Sequence, residues 1–100
     1  MGIDVKINAL VNGNIDLDIS IKLTKSSSGW QIIHIIDKIV GYKDFDYYEC
    51  DQPQLNDLNS AQVIFLIDAI NNHHPPLAYA EEIVCFLNKC KGGLTVQYGY

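Results

Sequence analysis

The chain reads as an α+β protein: an N-terminal antiparallel β-hairpin extended to a three- or four-stranded sheet, followed by two antiparallel α-helices packed on one face. Three observations lead there. Residues 3–11 and 15–23 alternate apolar and polar side chains. Two later segments carry helix boundary signals around apolar stripes. The last residues alternate again. At 100 residues the chain is expected to form a single domain, and roughly 65% of its unfolded surface would be buried on folding.

The first strand places Ile3, Val5, Ile7, Ala9 and Val11 on one side and Asp4, Lys6 and Asn8 on the other. The second repeats the pattern with Ile15, Leu17, Ile19, Ile21 and Leu23. Asn12-Gly13-Asn14 between them is a hairpin signal. A two-residue Asn-Gly turn would set Val11 opposite Asn14 and mismatch the apolar faces. A three-residue loop sets Val11 opposite Ile15, Ala9 opposite Leu17, Ile7 opposite Ile19 and Val5 opposite Ile21. That register is expected, because it gathers every apolar residue on one face. It also sets Asp4 opposite Lys22.

Lys25-Ser26-Ser27-Ser28-Gly29 reads as a polar turn. The segment after it, Trp30 to Ile36, has two readings. Ser28 and Gln31 have capping-box spacing, and Ile32, Ile36, Ile39 and Val40 fit one helical face. Four isoleucines in five positions favour a strand buried on both faces, and a third meander strand is the expectation. The following acidic-aromatic stretch is expected as a loop or edge strand, broken at Gln52-Pro53-Gln54. The only candidate linker, around Gln52 to Asp57, is too short to separate domains.

Asn59 and Gln62 again have capping spacing, and Ala61 through Ile70 predict a helix apolar nearly all round. Pro75-Pro76 suits the start of a second helix. Its stripe is Leu77, Ala80, Ile83, Val84, Leu87 and Cys90. Glu81 and Glu82 sit at its start, Lys89 and Lys91 at its end, and Gly92-Gly93 caps it. Leu94, Val96, Tyr98 and Tyr100 alternate and predict a last strand or a docking tail.

The net charge is −5. From Tyr42 to Asp57 there are five acids (Asp44, Asp46, Glu49, Asp51, Asp57) and one base, Lys43, a balance of −4. The rest of the chain therefore carries −1. Three of the six tyrosines, Tyr42, Tyr47 and Tyr48, lie in the same stretch. Carboxylates attract Lys and Arg of a partner and speed its approach. Tyrosine adds contact area at low entropic cost. The competing explanation is a solvated edge strand that uses charge against aggregation. The expected partner-binding residues are Tyr42, Asp44, Asp46, Tyr47, Tyr48, Glu49 and Asp51.

Other chemistry is weakly supported. Seven lysines and no arginine in an acidic chain argue against direct nucleic-acid binding. Adjacent His73 and His74 read as a polar turn, because neighbouring histidines rarely point the same way. Cys85 and Cys90 are five apart, off any shared helix face, and make no zinc pair. Acidic neighbours would raise the Cys50 thiol pKa, the wrong direction for a nucleophile. His34 among isoleucines reads as a core or interface residue. Asp16 and Asp18 read as an ordinary solvent face. Asp44 and Asp46 lack the glycine-containing loop of a calcium site. No phosphate-binding glycine loop, zinc-protease helix or nucleophile elbow is present in the sequence. No enzyme activity, metal or cofactor is expected.

Three cysteines are an odd number, Asp4 and Lys6 interrupt any leader-like run, and Val63 to Ile67 stops at Asp68. A reduced, cytoplasmic protein without a membrane span is expected. Its expected function is inhibition: an acidic surface that blocks a basic site on a partner, such as the nucleic-acid groove of a nuclease. Toxin-immunity proteins and phage-encoded antagonists of defence nucleases share this physical type, without any sequence resemblance. A homo-oligomeric assembly protein is the alternative, and a small-molecule or enzymatic domain using His34, His73 or Cys50 comes third.

Overall fold

The computed structural model describes residues 4–24, 28–40 and 54–99. It has an α+β architecture. The elements run β1 (Asp4–Val11), β2 (Asn14–Leu23), α1 (Gly29–Val40), β3 (Gln54–Leu58), α2 (Ser60–Asn71), α3 (Ala80–Leu87) and β4 (Leu94–Gly99). The strands form one antiparallel sheet in the order β2-β1-β4-β3. The alternating C-terminal residues are a last strand, and it lies inside the sheet, between β1 and β3.

The hairpin departs from the expected register. Asn12 and Gly13 form a two-residue turn with φ of 53° and 80°, the sign pattern of a type I′ turn. Val11 pairs with Asn14 and Ala9 with Asp16, yet Asn8 pairs with Ser20. Leu17, Asp18 and Ile19 are thus an insertion in β2 with no partner in β1. The Asp18 backbone N–H donates to Asp16 Oδ1 at 2.9 Å inside it. Three extra residues reverse the alternation of β2. Beyond the insertion, Ile21 and Leu23 pair with Ile7 and Val5 on the core side. Before it, Val11 and Ile15 are 47% and 54% exposed, and Leu17 within it is 75% exposed. The mismatch that argued against the Asn-Gly turn is real, and the insertion absorbs it. The expected Asp4–Lys22 pair is also displaced: Lys22 lies opposite Lys6, and Asp4 opposite Gly99.

Residues 29–40 are helix, which overturns the third-strand expectation. Ile32, Ile33 and Ile36 are buried, while Gln31, His34 and Lys38 are exposed. That spacing of apolar residues is helical, and one stripe facing a core outweighs the β-preference of isoleucine. Ser28 precedes the helix at φ 66° and is buried. Its hydroxyl donates to the Ala78 carbonyl at 3.0 Å, so it ties the start of α1 to the α2–α3 connection.

The candidate linker is in part strand β3, which occupies the far edge of the sheet. α2 begins as read: the Asn59 side chain accepts from the Gln62 N–H and the Gln62 side chain accepts from the Asn59 N–H, both at 2.9 Å. α3 starts at Ala80, four residues after Pro76, following Tyr79 at φ 60°. It carries Glu81 and Glu82 in its first turn and ends at Leu87, short of the expected glycine cap. Gly93 instead shapes the entry to β4. Its φ is 103°, its carbonyl accepts from Leu10 N–H at 2.9 Å, and a Cβ there would lie 2.6 Å from the Leu58 carbonyl oxygen. Only glycine fits that crossing without displacement.

One core unites the layers. Val5, Ile7, Ala9, Leu23, Leu58, Leu94 and Val96 from the strands pack with Ile32, Ile33 and Ile36 of α1, Val63, Leu66 and Ile70 of α2, and Ile83, Phe86 and Leu87 of α3. Alternate residues of each strand supply the sheet face, and all three helices, where two were expected, cover it. α2 contacts both α1 and α3.

Candidate functional site

The expected partner-binding residues Tyr42, Asp44, Asp46, Tyr47, Tyr48, Glu49 and Asp51 lie outside the described residues, as does Cys50. Their attachments are described. Residues 41–53 run from the end of α1, at Val40, to the start of edge strand β3, at Gln54. Asp57, the last acid of the charged stretch, is exposed on β3 opposite Thr95.

The other singled-out residues are scattered. His34 is exposed and stacks on Trp30, with ring centroids 6.1 Å apart and an interplanar angle of 27°. It is not a core histidine: the helical period turns position 34 away from the buried isoleucines. Asp16 and Asp18 do not form a regular strand face, because they lie at the β2 insertion, where one carboxylate holds the other's backbone N–H. Cys85 is exposed and Cys90 fully buried. Burial pushes the Cys90 thiol up to about 11. That thiol donates to the Phe86 carbonyl at 3.7 Å. Among the described residues no three His, Cys, Asp or Glu side chains gather as a metal site. No helix among them is long and apolar enough to cross a membrane.

Two grooves flank α2, and reading the sequence did not locate them. The larger, about 740 Å³, runs between α1 and α2. Its apolar wall is Ile35, Ile39, Phe65 and Ala69, and its polar edge includes Lys38, Gln62 and His73. The smaller, about 420 Å³, lies between α2 and α3 and shares His73. His73 Nδ1–H donates to the Pro75 carbonyl at 2.8 Å, which fixes the ring at the junction. The available signal was the second apolar side of α2. Val63, Leu66 and Ile70 spend one side on the core, and Ile64 and Phe65 remain 60% and 62% exposed. No family model matches the chain, and neither a curated protein nor a solved structure matches it.

Proposed function

We propose that this protein is a non-enzymatic inhibitor that binds a basic partner protein through residues 42–51 and blocks a nucleic-acid-binding site on it. The observation that carries the reading is charge concentration: −4 of the net −5 lies between Tyr42 and Asp57. Asp44, Asp46, Glu49 and Asp51 stand in for backbone phosphates opposite the partner's Lys and Arg. Tyr42, Tyr47 and Tyr48 supply the rigid aromatic contacts that dominate binding energy at interfaces. The attachment supports the reading, since the segment is anchored at one end by α1 and at the other by β3. Recognition segments commonly hang on packed elements in this way.

The test is a tagged pull-down from native lysate at low and moderate salt. It compares the wild type with a variant carrying Asp44→Asn, Asp46→Asn, Glu49→Gln and Asp51→Asn. A basic partner held by the wild type, released by moderate salt and lost by the variant supports the proposal. Equal capture by two folded proteins rejects it.

A second reading, self-assembly, is favoured by Ile64 and Phe65, which face solvent on α2. Leu94 and Val96 add nothing to it, because both are buried in the sheet. Sedimentation over a hundredfold concentration range decides this reading, and a monomer throughout removes it.

A further inference from the structure

We propose that the groove between α1 and α2 is a binding site for a small amphipathic monocarboxylate. Its apolar body would lie along Ile35, Ile39, Phe65 and Ala69, with its carboxylate at Lys38.

Size comes first. About 740 Å³ falls within the range of roughly 300–1,000 Å³ typical of small-molecule sites. The lining has the required division of labour. Two isoleucines, a phenylalanine and an alanine form a continuous apolar wall, and polar groups gather at its edge. Phe65 is 62% exposed, so a ligand there removes aromatic surface that the fold itself leaves in water.

Charge selects the ligand class. The chain has twelve acids and seven bases, yet the described lining residues include Lys38, His73 and His74 and no Asp or Glu. Lys38, the one charged side chain among the described lining residues, favours an anion over a cation. One permanent positive charge matches one carboxylate, whereas a polyphosphate would need several. His73 adds a directed group. With Nδ1–H committed to Pro75, its remaining nitrogen is Nε2, which becomes a second donor when the ring is charged. Lys38 can lay its methylene stem on the apolar wall and present its ammonium at the rim.

The probe is decanoate, titrated below its micellar range into the full-length protein and followed by backbone amide shifts. Decanol and decyltrimethylammonium supply the same chain with no charge and with the opposite charge. Saturable decanoate binding is expected, with shifts concentrated at Ile35, Lys38, Ile39, Phe65, Ala69 and His73. Shortening the ligand to octanoate removes two methylenes and should weaken binding about twofold to fourfold for each. Lys38→Glu should weaken decanoate about fivefold and leave decanol unchanged. Phe65→Gln should weaken both ligands. Both positions are solvent-facing, so both variants should fold, and their amide spectra check this independently.

Three outcomes overturn the proposal: no saturation, decanol or the ammonium binding as tightly as decanoate, or largest shifts away from α1 and α2. Unchanged decanoate affinity in both folded variants also overturns it.

Discussion

α1 and α2 have the same length, twelve residues, and opposite surface economies. α1 buries Ile32, Ile33 and Ile36 and turns Gln31, His34 and Lys38 outward. α2 buries Val63, Leu66 and Ile70 and still shows Ile64 and Phe65 to solvent. The first helix spends most of its apolar surface on the fold, with Ile35 and Ile39 at the edge of the larger groove. The second has apolar surface left over, and the larger groove is built partly on it, through Phe65. A helix apolar all round signals more than burial, because its second side must face either more protein or a ligand.

The sharpest way to break this comparison is within α2 itself. Leu66→Ala, at a fully buried position, should lower unfolding free energy by about 3 kcal/mol, while Phe65→Ala one residue away should change it by less than about 0.5 kcal/mol. Urea unfolding of the two variants measures both. Equal losses would mean that the outer side of α2 is part of the core. The next largest effect is expected at Gly93, where the left-handed φ and the nearby Leu58 carbonyl oppose any Cβ. Gly93→Ala should cost about 2 kcal/mol in the same assay.

The helix starts differ as well, and smaller changes test them. Asn59→Ala removes the capping box of α2 and should cost about 1 kcal/mol. Ser28→Ala should cost about as much for another reason, since it takes the hydroxyl donor from the Ala78 carbonyl. Ser28→Gly should cost less than Ser28→Ala, because glycine relieves the residue's φ of 66°. If the two Ser28 variants lose the same amount, the left-handed backbone contributes nothing there.

The smallest effect is pH-dependent. The folded protein holds the Cys90 proton up to about 11, against 9.0 for a free thiol. The unfolded chain therefore releases this proton first as pH rises. Stability from this group is fully present below pH 9.0 and is lost as pH climbs towards about 11. The stability difference between wild type and Cys90→Ala should shrink across that window. A constant difference would show that Cys90 does not titrate differently on unfolding.

Legibility followed local chemistry. The α+β class, β1, β2, α2 and the alternation of β4 were readable because each has a clear period or a cap at its boundary. The Asn59–Gln62 box identified α2 from four residues. α1 was misread because isoleucine content was weighed above spacing, although Ile32, Ile36, Ile39 and Val40 already marked a helical face. The hairpin register was misread because alternation was assumed to run unbroken through Leu17, Asp18 and Ile19. An insertion of that kind is a tertiary solution: it reconciles an Asn-Gly turn with a core set by Ile21 and Leu23, and no local residue announces it. The inner position of β4 depends on pairing across the whole chain, which alternation cannot specify. His34, read as a core or interface residue, lies outside the core, on the exposed side of α1. The grooves beside α2 exist only once α1 and α3 are in position.

The central functional claim is that the acidic segment is the working surface for a protein partner, and not the apolar side of α2. The most direct measurement is side-by-side capture from native lysate. One arm uses the variant with Asp44→Asn, Asp46→Asn, Glu49→Gln and Asp51→Asn, and the other uses Ile64→Ser with Phe65→Gln. The first is expected to lose a basic partner seen with wild type, while the second retains it. Retention by the first and loss by the second, with both proteins folded, would contradict it.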